Sequence, residues 1–114
     1  LKDILIEMNK SIRPNVEFSG AITVNYAGNY DSVVLNTQIL DSNELMLFTS
    51  LNGKKISSRS SRLFISKDVM LQNRAEFSAI ITFEPQKRYE VKFRASIIEQ
   101  HKEVESDVFF AELA

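Results

Sequence analysis

His101 is the one histidine of this chain, and Glu99, Glu103 and Glu105 flank it so closely that side chains alternating about a turn could converge on a divalent ion. Hard cations take about six or more oxygen ligands, and charged residues around a hairpin are ordinarily hydrated, so the spacing predicts no metal site. Glu84 and Glu90 supply carboxylates of the kind that general acid–base catalysis uses, but nothing in the order of residues sets them across a cleft. With no cysteine and only Gly20, Gly28 and Gly53 as glycines, the chain has no thiolate nucleophile, thiolate zinc site, disulfide or phosphate-cradling glycine loop. No Ser-His-Asp arrangement stands in a recognisable context. The inventory predicts a protein with no catalytic residue, no metal and no cofactor.

Two other groupings point to binding. Lys54, Lys55, Arg59, Arg62 and Lys67 fall in one stretch with no acidic residue among them, interleaved with Ser57, Ser58, Ser60 and Ser61. From Glu99 onward the sign reverses, with Glu99, Glu103, Glu105, Asp107 and Glu112 against Lys102 alone. A cationic rim suits phosphates, an anionic membrane surface or an acidic peptide. The patch lacks the interleaved aromatics of single-stranded nucleic-acid sites, so the expected partner is another protein or peptide of acidic character, with peripheral contact to an anionic membrane as a variant and no specific nucleic acid. The competing reading is a solvated hairpin whose charges guard an edge strand. Apolar residues give the second grouping. Ile98 breaks a strand alternation, Phe109 and Phe110 are adjacent, and Val33 with Val34, like Met46 with Phe48, reads as presenting apolar groups to both faces. Such faces are either covered or sticky.

The elements that must position these residues are strands. Val16, Phe18, Gly20, Ile22, Val24 and Tyr26 alternate with Glu17, Ser19, Ala21, Thr23 and Asn25, the period of a half-buried strand and not of a helix. Tyr89, Val91, Phe93, Ala95 and Ile97 repeat the pattern against Glu90, Lys92, Arg94 and Ser96. Further strands read at Val33 to Leu40, Glu44 to Leu51, Lys54 to Ser57, Arg62 to Ser66, Ala75 to Phe83 and Val104 to Leu113. Leu1, Ile4, Leu5, Met8 and Ile12 fit a helix, but Arg13-Pro14 would end one there, and Ile4, Ile6 and Met8 fit the strand that we assign. Asn52-Gly53 is a type I′ hairpin signal, because both central residues of that turn need positive φ. Ala27-Gly28-Asn29, Asp41-Ser42-Asn43 and Gln100-His101-Lys102 read as the other turns, and Ser66 to Asn73 as an irregular crossover with room for one helical turn. The expected fold is all-β: a two-sheet antiparallel β-sandwich of seven to eight strands.

The composition fits one such domain. At 114 residues, with 44% hydrophobic and 25% charged residues and a formal net charge of −1, the chain is of ordinary globular type without a global pull toward nucleic acid or membrane. Residues 1 to 114 are expected to form a single domain, cut from a longer protein since the chain starts at Leu1 and not Met. Zero cysteine favours a reducing compartment.

The run Pro14-Asn15-Val16-Glu17-Phe18-Ser19-Gly20-Ala21-Ile22-Thr23-Val24, between the strands Asp3 to Met8 and Ser32 to Leu40, resembles the opening of arrestin-fold domains. Tyr89 to Ile97 is similar to the later Tyr-x-Val-x-Ala-x-Leu strand of that family, although Asn15 stands where glycine is usual. Pro85 to Ala95 equally resembles a corner of fibronectin type III and other immunoglobulin-like domains. The arrestin resemblance implies a cytoplasmic, non-catalytic adaptor or scaffold in protein transport. The immunoglobulin-like one implies an extracellular or cell-surface binding module, with which the Asn9-Lys10-Ser11 glycosylation triplet is compatible.

Overall fold

The computed structural model describes residues 2–114; the helical-spacing reading at Leu1 lies outside the described residues. Its strands are β1 (Ile4–Met8), β2 (Ser11–Ile12), β3 (Phe18–Val24), β4 (Ser32–Ile39), β5 (Leu47–Leu51), β6 (Lys54–Arg59), β7 (Arg62–Ser66), β8 (Arg74–Ile80), β9 (Tyr89–Glu99) and β10 (Lys102–Leu113). They form two five-stranded sheets, in the orders β1-β3-β8-β5-β6 and β2-β10-β9-β4-β7. The strand count is therefore ten rather than seven or eight. One addition comes from the opening segment, which changes sheet at Asn9-Lys10, where the Asn9 side chain accepts the Ser11 N–H at 2.9 Å. The sandwich is also not purely antiparallel: β2 pairs in parallel with the end of β10, Ser11 beside Glu112 and Ile12 beside Leu113.

Alternation selects the core. Ile22 and Val24 of β3 and Val91, Phe93, Ala95 and Ile97 of β9 are buried between the sheets. Phe93 joins the two layers, with Phe77 of β8 at 6.3 Å and Phe18 of β3 at 6.2 Å between ring centroids, and Phe48 of β5 continues the row at 6.2 Å from Phe77. Each aromatic pair adds roughly 0.5–1.5 kcal/mol to the burial itself. Val16, expected inside, is 52% exposed, because β3 begins only at Phe18 and Val16 closes the preceding turn, donating to the Arg13 carbonyl. Asn15 takes φ 61° in that turn, so it supplies the left-handed conformation for which glycine is usual.

Three tight turns have two consecutive residues at positive φ. Asn52-Gly53 links β5 to β6 as expected, and its Asn52 side chain accepts the Glu76 N–H at 2.6 Å and donates to the Val69 carbonyl at 2.5 Å. Gln72-Asn73 turns the chain into β8 after a short 3-10 turn at Lys67–Val69, which is the helical turn anticipated in the crossover. Gln100-His101 links β9 to β10 at φ 52° and 66°, a conformation that glycine adopts more readily than either. The predicted strand to Phe83 stops at Ile80, although Ile81 remains fully buried.

The two open sides of the sandwich differ. At the β1 side, Asp107 of β10 reaches out of the opposite sheet, accepting the Ile6 N–H of β1 at 2.9 Å and the Lys2 ammonium at 2.7 Å. At the other side, β6 ends one sheet and β7 ends the other, and no ladder joins them.

Candidate docking edge

The β6–β7 side carries the cationic stretch. β6 runs along one sheet edge, the chain crosses at Ser60-Ser61, and β7 returns along the other, so Lys54, Lys55, Arg59, Arg62 and Lys67 all lie on this side and all are exposed. Reversal of direction puts Lys54, Lys55 and Lys67 toward one end and Arg59 and Arg62 toward the other, about 15–20 Å away at strand rise. The five form a track rather than a cluster. None of them is in an ion pair among the described residues, whereas Lys2, Arg74, Lys87, Arg88 and Arg94 are.

Two of the five have structural duties. Arg59 donates to the Leu45 carbonyl at 3.2 Å and to Thr82 at 3.3 Å, holding the segment before β5. Lys67 lies 4.8 Å from the ring centroid of Tyr30, a cation–π contact. Burial raises the Tyr30 pKa above its ordinary value, keeping the hydroxyl a neutral donor to Asn73 at 2.7 Å. Lys54, Lys55 and Arg62 have no such contact among the described residues.

The backbone at this side is partly unsatisfied. Thr37 donates to the Ser61 carbonyl and Lys67 to the Asp31 carbonyl, which sets the phase of the β4–β7 ladder. Main-chain groups of Leu63 and Ile65 then face β4, and those of Arg62, Phe64 and Ser66 face away from it. Ser60 Oγ occupies the Arg62 positions, accepting its N–H and donating to its carbonyl, each at 3.0 Å. Phe64 and Ser66 keep an open edge. The Phe64 ring is 63% exposed, since Leu63 and Ile65 on either side take the core face. The β5–β6 ladder has a bulge between the Phe48 and Ser50 positions, while the β4–β7 register is unbroken. The charge pattern alone gave no reason to single out Phe64; the alternation of Leu63-Phe64-Ile65 was the available signal.

Other expected features fall elsewhere. His101 sits exposed at the β9–β10 turn. Glu99 accepts the Tyr26 hydroxyl at 3.2 Å and Glu103 pairs with Arg94, and among the described residues no three His, Cys, Asp or Glu side chains come together. Met46 and Phe48 do not face both ways: they share parity and both are buried. Val33 is in the core, and Val34, on the outer face, is also covered, at 3% exposure. Phe109 packs against the core and Phe110 is exposed on the outer face beside Lys92. Where β7 leaves β4, a hollow of about 390 Å³ is lined by Asn36, Gln38, Ser61, Lys92 and Arg94. A hollow of about 470 Å³ near the β2 end has both charge signs in its lining, with Arg88 and Glu112 paired at 3.1 Å.

No protein-family model matches this sequence, and no curated protein matches it. Among solved structures, the reeler domain of human F-spondin is similar at a TM-score of 0.55 and 7% identity, over 96% of this chain and 89% of that one. The CFA/I adhesin CfaE of enterotoxigenic E. coli is similar at a TM-score of 0.56 and 13% identity, over 97% of this chain and 48% of that one. The shared property is the β-sandwich fold. This chain spans about half the length of the adhesin. Identities this low carry the fold alone, and the likeness is to β-sandwiches in general rather than to arrestin-fold domains in particular.

Proposed function

We propose that this domain is a non-catalytic protein-interaction module that docks an extended acidic segment along its β6–β7 side. The observation that carries the reading is the coincidence of a cation track without ion-pair partners among the described residues, an open stretch of β7 edge and the exposed Phe64 ring on one side of the sandwich. An added strand would hydrogen-bond to the main chain of Phe64 and Ser66, set a side chain against Phe64 and place carboxylates near Arg62 and Lys67. Glu99 and Glu103, the carboxylates nearest to His101 in sequence, already hold Tyr26 and Arg94, which favours binding over catalysis.

In its first form the module is a cytoplasmic adaptor or scaffold in protein transport, as the resemblance of the opening run to arrestin-fold domains implies. The second form is an extracellular or cell-surface module, favoured by the exposure of Asn9, the acceptor position of Asn9-Lys10-Ser11, at the β1–β2 crossing. Selection from a displayed random peptide library tests the docking itself. Recovered peptides should be rich in Asp and Glu, bind more weakly as salt rises, and shift the backbone NMR signals of Phe64 and Ser66. The Lys54→Glu, Lys55→Glu, Arg62→Glu variant should lose them while melting like wild type. Peptides without acidic bias, or equal binding by the variant, would refute the proposal.

A further inference from the structure

We infer that the hollow beside the β6–β7 crossing is a separate site for a small acidic sugar: an oxyanion, carboxylate or phosphate, carried on a hydroxylated ring. β4 continues to Ile39 after β7 has left it at Arg62, so the outer face of the sheet steps down there, and the hollow of about 390 Å³ occupies the step. That volume is within the range of small-ligand sites, about 300–1,000 Å³.

Its lining is chemically mixed in one particular way. Lys92 and Arg94 are two apart on β9 and point to the same face, about 7 Å apart along the strand. Glu103 and Ser106 hold one end of the Arg94 guanidinium, which fixes its plane and leaves its other donors for a second oxyanion. Lys92 has no ion-pair partner among the described residues. Asn36 lies opposite Arg94 and Gln38 opposite Lys92, so two primary amides, each both donor and acceptor, face the two cations across one strand spacing. Ser61 adds a hydroxyl at the wall. Cations alone would suit any anion. Amides opposite them, with the Ser61 hydroxyl at the wall, suit an anion attached to hydroxyls. The site is independent of the docking edge: Lys92, Arg94 and Gln38 are not part of the β6–β7 track.

Backbone NMR titration of the whole chain with glucuronate, glucose 6-phosphate, glucose and inorganic phosphate tests this. Glucuronate or glucose 6-phosphate should give saturable shifts confined to Asn36, Gln38, Ser61, Lys92 and Arg94, and the tighter of the two identifies the anion. Glucose and inorganic phosphate should each bind about tenfold more weakly or worse than that acid. Lys92→Gln, a change at a partly exposed side chain, should weaken the acid by about tenfold with no change in melting temperature. The inference is overturned by an absence of saturable shifts, by inorganic phosphate binding as tightly as the sugar acid, by shifts spread over Lys54, Lys55 and Lys67, or by unchanged affinity in Lys92→Gln.

Discussion

Asp107 should fasten the first strand to the opposite sheet, and its removal has a calculable cost. The carboxylate is only 6% exposed, yet it holds two donors, the Ile6 N–H at 2.9 Å and the Lys2 ammonium at 2.7 Å. Asp107→Ala leaves the Ile6 N–H on the unpaired edge of β1 without an acceptor, a loss of about 1–3 kcal/mol. Lys2 is 67% exposed and regains water when released, so its share is discounted to well under 1 kcal/mol. We therefore expect about 2 kcal/mol for Asp107→Ala and about 1 kcal/mol for Asp107→Asn, whose amide oxygen can still accept from Ile6. Burial alone would raise the Asp107 pKa, but the Lys2 ammonium and the Ile6 N–H outweigh it and hold the group below its ordinary value. A depressed folded-state pKa gives stability that is present above the unfolded value, about 3.9, and is lost as pH falls through the folded value. Urea unfolding of wild type and Asp107→Asn at neutral pH and in steps below pH 4 measures both quantities. The gap between them should be full at neutral pH and close in acid as wild type loses its advantage. A gap that persists unchanged well below pH 3, or is absent at neutral pH, would refute the fastening.

Two further outcomes follow from backbone geometry. A Cβ on Gly20 would come within 2.7 Å of the Phe77 ring and 3.2 Å of Met8 Cβ, so Gly20→Ala should cost about 1–3 kcal/mol in chemical denaturation, part of it recovered when combined with Phe77→Leu. Additive losses in the double variant would mean that the ring does not set the cost. Replacing Gln100-His101 by Gln100→Asn with His101→Gly relieves two residues of left-handed strain and should stabilise the domain by about 1 kcal/mol; a melting temperature that does not rise would show the β9–β10 turn to have another geometry.

Legibility followed the length and chemistry of each signal. Alternation read from Val16 to Tyr26 located β3, and alternation from Tyr89 to Ile97 located β9, down to the burial of Ile22 and Phe93. Asn52-Gly53 announced its turn because both residues tolerate positive φ, whereas Gln72-Asn73 and Gln100-His101 adopt the same conformation without a glycine and gave no type-specific signal. β2 was illegible as a separate strand: two residues carry no period, and the parallel pairing with β10 depends on the sheet change at Asn9. Asp107 read as one acid among several, because its burial requires β1 of the other sheet to bring the Ile6 N–H to it. The cation stretch was legible as charge and, in the competing reading, as the guard of an edge strand, but that two strands from opposite sheets share the side depends on which strands lie outermost.

The arrangement of those edges separates the guarding role of the cations from a docking role. A guard works by making an edge unfit for pairing, through charge, bulges or self-capping. β6 carries two of these: its ladder is bulged, and Lys54, Lys55 and Arg59 are exposed along it. β7 begins the same way, with Ser60 occupying the Arg62 positions, but the protection then stops. At Phe64 and Ser66 the ladder is regular, the main-chain groups face outward and a large apolar ring is exposed. An edge only two residues long gives an added strand few hydrogen bonds, so its affinity must come from the Phe64 contact and from charge at the ends of the track. In the proposed docking, such binding would be selective for acidic segments and weaken as salt rises.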